Sequence, residues 1–111
     1  MRRLKLSKKC SHDTLINFGF KKYGMNYKMF IPLYQKNGET LIELEMLVSS
    51  VDSYIGYDVV DKCNDTLYTA YYDQEYAPKS VVLDSVISKI EMILADMVDK
   101  NIITKRCLAI A

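Results

Sequence analysis

Glycine and proline are scarce in this chain, six residues together out of 111, and there is no low-complexity run or internal repeat. That excludes collagen-like, Pro/Gly-rich disordered and solenoid architectures. No stretch of about 18 apolar residues occurs, so no transmembrane helix is expected. The basic start, Arg2 to Lys9, leads into no apolar segment, so a secretory leader is not expected either. Three cysteines, Cys10, Cys63 and Cys107, are widely spaced and odd in number. They offer no disulfide framework and read as free thiols of a cytoplasmic protein. His12 is the single histidine, and no glycine-rich phosphate loop is present. No cofactor and no metal site is expected.

What is present describes one small globular domain, residues 1–111. Half of the residues are hydrophobic and 26% are charged, as in ordinary soluble domains. The charge is segregated. Residues 1–36 hold nine Lys or Arg and one acid, Asp13; residues 37–99 hold three Lys and thirteen Asp or Glu; the last twelve residues add three basic side chains. The balances of +8, −10 and +3 give the net +1, so a near-neutral total hides a basic end and an acidic middle. Such asymmetry points to a charged partner.

The pattern predicts an α+β fold. Residues 1–10 read as a flexible basic segment. Residues 12–18 read as a short helix, capped by Ser11 or Asp13 and ended by Gly19. Two apolar segments, 26–34 and 40–48, flank Asn37-Gly38, a strong hairpin signal. Pairing residues whose numbers sum to 75 sets Leu33 against Ile42, Ile31 against Leu44, Met29 against Met46 and Tyr27 against Val48, all apolar or aromatic. The other face pairs Tyr34 with Leu41, Pro32 with Glu43 and Phe30 with Glu45. Pro32 has no N–H to give. A four-residue loop closed by Gln35 and Thr40, with the first strand at a sheet edge, turns the missing donor away from the partner strand.

A third strand fits Ser53–Asp61, pairing Val48 with Ile55, Met46 with Tyr57 and Leu44 with Val59. A fourth fits Thr66–Tyr72. The expected sheet is thus a four-stranded antiparallel meander. One face is packed by a long helix over 80–100, whose stripe is Leu83, Val86, Ile87, Ile90, Ile93, Leu94 and Met97. Ser80 caps that helix and Asn101 takes the left-handed position after it. Residues 102–111 are apolar enough to dock as a strand or a short helix.

Chemistry-bearing residues are few. Cys10-Ser11-His12-Asp13 has the composition of a reactive thiol site, but residues two apart on a helix do not face each other. A structural or surface role is the expectation there. Cys10, Cys63, Cys107 and His12 have the chemistry of zinc ligands without the short paired spacings of structural sites. Glu43 and Glu45 share a strand face, which is common on a solvated sheet. Nine tyrosines, seven of them between Tyr27 and Tyr72, suit strands and interfaces alike. In the proposed register Glu43, Glu45 and Asp58 cluster outward, with Phe30, Tyr34, Tyr54 and Tyr71 around them. Glu45 falls opposite Asp58, a like-charge pair that costs stability. At the other end Arg2, Arg3, Lys5, Lys8, Lys9, Lys21 and Lys22, extended by Lys28, are the residues that would neutralise phosphates. They sit in no helix-turn-helix, zinc-finger or RNA-recognition pattern.

The order of elements resembles that of small uncharacterised proteins of phages and prophages of low-GC bacteria. The residues that carry the likeness are Asn17-Phe18-Gly19-Phe20, Tyr54 to Asp61 and Val81 to Met97. The resemblance implies a bacterial cytosol and an accessory role in a mobile element, such as inhibition of a host-defence nuclease. The expected function is therefore non-enzymatic binding. An acidic, tyrosine-bordered sheet face (Glu43, Glu45, Asp58, Tyr54, Tyr71) would meet a basic protein surface, without a membrane. The alternative is a nucleic-acid-binding module built on the basic N-terminal region.

Overall fold

The computed structural model describes residues 2–49 and 54–104. β1 (Arg2–Lys5) opens the chain and α1 (His12–Phe18) follows. The Ser11 hydroxyl accepts from the Thr14 N–H and caps α1. Gly19 ends the helix at φ 129°, a conformation that an L side chain rarely adopts. β2 (Lys21–Tyr23) turns through Gly24-Met25 into β3 (Asn26–Lys36), and Asn37-Gly38, at φ 53° and 80°, turns β3 into β4 (Glu39–Ser49). β5 (Tyr54–Asp61), β6 (Thr66–Leu67), α2 (Thr69–Tyr72) and α3 (Val81–Asp99) complete the order. The sheet is antiparallel in the order β1-β5-β4-β3-β2, and β6 pairs with the far end of β5.

Among the described residues six strands stand where four are expected. Arg2–Lys5, read from the sequence as flexible, pairs residue by residue with Tyr57–Tyr54. Leu4, 1% exposed, anchors it from the inner face while Arg3 and Lys5 point out. The expected fourth strand is only two residues long. Tyr68 then leaves the sheet and Thr69–Tyr72 coil into α2, which brings Tyr71 under β5. The turn between β4 and β5, with Ser53, lies outside the described residues. So do residues 105–111; of the C-terminal segment, Ile103 bridges Leu6, and Ile102 and Ile103 are buried.

The register of the central strands follows the apolar alternation: Tyr27–Val48, Met29–Met46 and Ile31–Leu44 across β3 and β4, then Val48–Ile55, Met46–Tyr57 and Leu44–Val59 across β4 and β5. Near the turn it departs. Lys36 pairs with Glu39, so the loop has two residues rather than the four expected, and the ladder slips at Leu33 and again at Leu41. The slips have a physical cause. Tyr23 and Asn26 close another two-residue loop, so Asn26, Lys28, Phe30 and Pro32 direct their backbone groups toward the β2 side. Pro32 lies beyond the end of β2, so its missing donor faces an open margin. The Asn37-Gly38 turn demands the opposite alternation, and one extra residue on each strand reconciles the two. The carbonyls thrown off the ladder are satisfied. Leu33 C=O accepts from Lys89 Nζ at 2.9 Å, and Leu41 C=O accepts from the Lys62 N–H at 2.9 Å.

The three described helices contribute to the core on one face of the sheet. Leu83, Val86, Ile90, Leu94 and Met97 of α3 are buried, whereas Ile87 and Ile93 of the expected stripe are half-buried. The Ser80 hydroxyl accepts from the Leu83 N–H, and Asn101 takes φ 59° after the helix. Inner-face side chains of every long strand join those of α3 in one core, and among the described residues no polar or charged residue is buried. The opposite sheet face is covered by no described helix.

Candidate interaction face

The uncovered face is built by alternation. Each strand sends every second side chain outward, and the register aligns these into rows across the sheet. One row reads Lys21, Lys28, Leu47, Gly56 and Arg3. The next reads Phe30, Glu45 and Asp58, and the one beyond it Pro32, Glu43, Val60 and Leu67. The expected cluster of Glu43, Glu45 and Asp58 is therefore brought together, with Glu45 opposite Asp58. Phe30, 50% exposed, borders it. Lys28, Phe30, Glu45, Met46, Leu47 and Asp58 line a shallow hollow of about 170 Å³. Lys62 Nζ lies 3.6 Å from Glu43 Oε1. Partial burial, then the neighbouring Glu43 charge, holds the Glu45 carboxyl above its usual range, and Lys62 offsets part of this. The arrangement can receive a cationic side chain. Lys62 was missed by sequence reading, although the β4–β5 register places it diagonally from Glu43, within reach of a long side chain.

Two tyrosines expected on this face are elsewhere. Tyr71 is buried on the inner face, its hydroxyl 3.0 Å from that of Tyr57. Helix α2 carries it there, because a helix does not keep the strand alternation on which the expectation rested. Tyr34 pairs with Ile42 after the slip and packs against the core. Tyr54 does lie outward, beside Lys5.

The basic residues are dispersed. Arg2 is on the inner side, its guanidinium 5.5 Å and 5.4 Å from the ring centres of Tyr71 and Tyr72. Its Nε is buried without a hydrogen-bond partner, so it is packed rather than offered to phosphate. Arg3 and Lys5 lie outward on β1, while Lys21 and Lys28 lie outward three to four strands away, where the Lys28 ammonium sits 5.6 Å from the Tyr23 ring centre. Lys22 points to the other face, over Tyr27. Lys8 and Lys9 are exposed in the turn before α1.

Cys10 and His12 share a hollow of about 250 Å³ with Tyr27 and Ser49, and His12 Nδ1 lies 2.8 Å from the Tyr27 hydroxyl. Burial pushes the Cys10 thiol up, which disfavours the thiolate that nucleophilic chemistry needs. Cys63 follows Asp61, at the end of the sheet remote from Val48 and Ser49, which border the Cys10 hollow. Six residues of strand, about 20 Å, separate the two ends. Cys10 and Cys63 are free thiols, and Cys107 lies outside the described residues. Among the described residues no group of three or more His, Cys, Asp or Glu is placed to hold a metal ion. A third hollow, a groove of about 630 Å³, runs between α1, β3 and α3. Phe18, Met29, Ile31, Met92 and Ile93 line it, and the Asp96–Lys100 ion pair forms its rim.

The described residues thus form an α+β protein, an open antiparallel sheet with one helical layer and one charged face that no described helix covers. No described helix is long and apolar enough to cross a membrane. No family model and no curated protein sequence matches the chain. The fold is similar to the crystal structure of a DUF1831 family protein from Lactobacillus plantarum, with a TM-score of 0.70 at 17% identity over 89% of this chain and 82% of that one.

Proposed function

We propose that the protein is a non-enzymatic binding module whose bare sheet face docks a basic surface of another protein. The observation that carries this reading is the Glu43, Glu45 and Asp58 cluster, of which Glu45 and Asp58 line a hollow with exposed Phe30. Carboxylates gathered on one face complement a cationic guest. An accessory role in a mobile element, such as occupying the basic groove of a nucleic-acid-handling protein, fits the same chemistry.

The runner-up is nucleic-acid binding through the basic residues. Its support is the presence of Arg3, Lys5, Lys21 and Lys28 on one face with Tyr23 and Tyr54. Against it, these residues form two separated edges with Leu47 and Gly56 between them, and the carboxylates of the adjoining row repel a phosphate backbone.

Fluorescence anisotropy across a salt series distinguishes the readings, using a labelled arginine–glycine peptide and a labelled single-stranded oligonucleotide. The peptide is expected to bind wild type, and Glu45→Gln to weaken it about two- to fivefold at low salt, the scale of one exposed ion pair. Lys5→Gln leaves peptide binding unchanged. Oligonucleotide binding that Lys5→Gln weakens and Glu45→Gln does not would replace this reading with the runner-up.

A further inference from the structure

The face that carries the acidic cluster also carries a parallel row of basic side chains, one row away along the strands. We propose that this face is self-complementary and that its occupant is a second copy of the chain, stacked sheet on sheet about a two-fold axis. The inference rests on the reading of the bare face as an interface and names its first partner.

The argument is one of row order. The row of Lys28, Leu47, Gly56 and Arg3 lies next to the row of Phe30, Glu45 and Asp58, two residues or about 6.6 Å along the strands. Face-to-face contact between identical patches requires a two-fold axis in the plane of the interface. Let that axis run across the strands, midway between the two rows. It reverses the strand direction and keeps each strand over its equivalent, so the acidic row of one copy comes to lie over the basic row of the other. Glu45 then sits over Leu47 of the second copy, with that copy's Lys28 one strand, about 4.8 Å, to the side. Lys28 sits over the second copy's Phe30, a cation–π placement. Each contact occurs twice.

Stacked sheets lie about 10 Å apart, a gap that Phe30, Leu47 and the Lys28 stem fill. Gly56, itself buried, adds no side chain to the basic row. The face measures about 20 by 25 Å from strand spacing and rise, so two copies cover roughly 1,000 Å², the low end for specific interfaces. The dimer is accordingly expected to be of micromolar affinity and to weaken with salt.

Sedimentation equilibrium from micromolar to near-millimolar concentration tests this. Wild type is expected to dimerise at low salt. Lys28→Glu alone sets two glutamates together, and Glu45→Lys alone sets two lysines together, so each variant is expected to stay monomeric. An equimolar mixture of the two restores both attractive contacts and is expected to form the heterodimer. Circular dichroism verifies that both variants fold. Should either fail to fold, Lys28→Gln and Glu45→Gln are used, each expected to weaken the dimer about fivefold. Wild type that remains monomeric near millimolar concentration overturns the proposal. So does a dimer that survives both variants, which would point to the groove beside α3, or a mixture that stays monomeric. A monomeric wild type that still binds the arginine–glycine peptide sinks only the self-association. A dimer that ignores the peptide sinks only the basic-partner reading.

Discussion

Glu45 lies between Phe30 and Asp58 across the strands, with Glu43 two residues away on the same face. Partial burial and the Glu43 charge raise its carboxyl pKa. A raised carboxyl means that the native state binds the proton more tightly than the unfolded chain does. The charged form therefore costs stability, fully so above the folded-state value. The cost fades as pH falls through that value toward the value of an unfolded glutamate. Glu45→Gln should accordingly match or exceed wild type by about 0.3 kcal/mol at neutral pH, on the scale of cross-strand pairs, and the gap should close in mildly acidic solution. Asp61 behaves in the opposite sense. The Asn64 side chain, then the Asn64 and Cys63 N–H groups, lower its pKa, so its contribution is present above the unfolded value and is lost as pH falls through the folded one. The difference between variant and wild type in urea titrations at two pH values cancels Asp61 and isolates Glu45. A variant less stable than wild type at neutral pH would mean that Glu45 is productively paired.

At the scale of elements, α3 makes the helical layer, and Ile90, 1% exposed, sits in the middle of its buried stripe. Ile90→Ala should lower stability by about 2–5 kcal/mol, read as a lower denaturant midpoint at unchanged slope. An unchanged midpoint would mean that α3 does not pack through this stripe. This helix was legible in the sequence because seven apolar residues keep one period over about four turns, with Ser80 and Asn101 at its ends. The central hairpin was legible because one register sorts both faces of two long strands. The rest lacked such redundancy. β1 offers a single inward residue, Leu4, between charges, and β2 is three residues with no aliphatic side chain. α2 is one turn of Thr-Ala-Tyr-Tyr, whose aromatic residues favour strands, and its contacts with β5 through Tyr71 and Tyr72 hold its helical path. The slips at Leu33 and Leu41 arise from two turns that impose opposite alternation. Alternation within a single strand pair cannot reveal that. The acidic cluster followed from the register and so was legible, whereas the packing of Arg2 against Tyr71 and Tyr72 depended on elements that left no period.

Over the whole molecule, the helices and the sheet divide the labour. The helical side buries the core, and the side that no described helix covers gathers Glu43, Glu45 and Asp58 next to Lys28 and Arg3. Charge that is segregated along the chain becomes charge arranged in rows on one surface, because β3, β4, β5 and β1 bring basic and acidic segments side by side. The similarity to the DUF1831 family protein extends over most of both chains at 17% identity, so it speaks for the architecture and not for the side chains of this face. The most direct measurement is the map of backbone amide shifts in ¹H–¹⁵N spectra as excess arginine–glycine peptide is added. The account predicts shifts centred on Phe30, Glu43, Glu45 and Asp58, reduced in Glu45→Gln and suppressed by salt. Shifts centred on α1 and α3, or none anywhere, would contradict it.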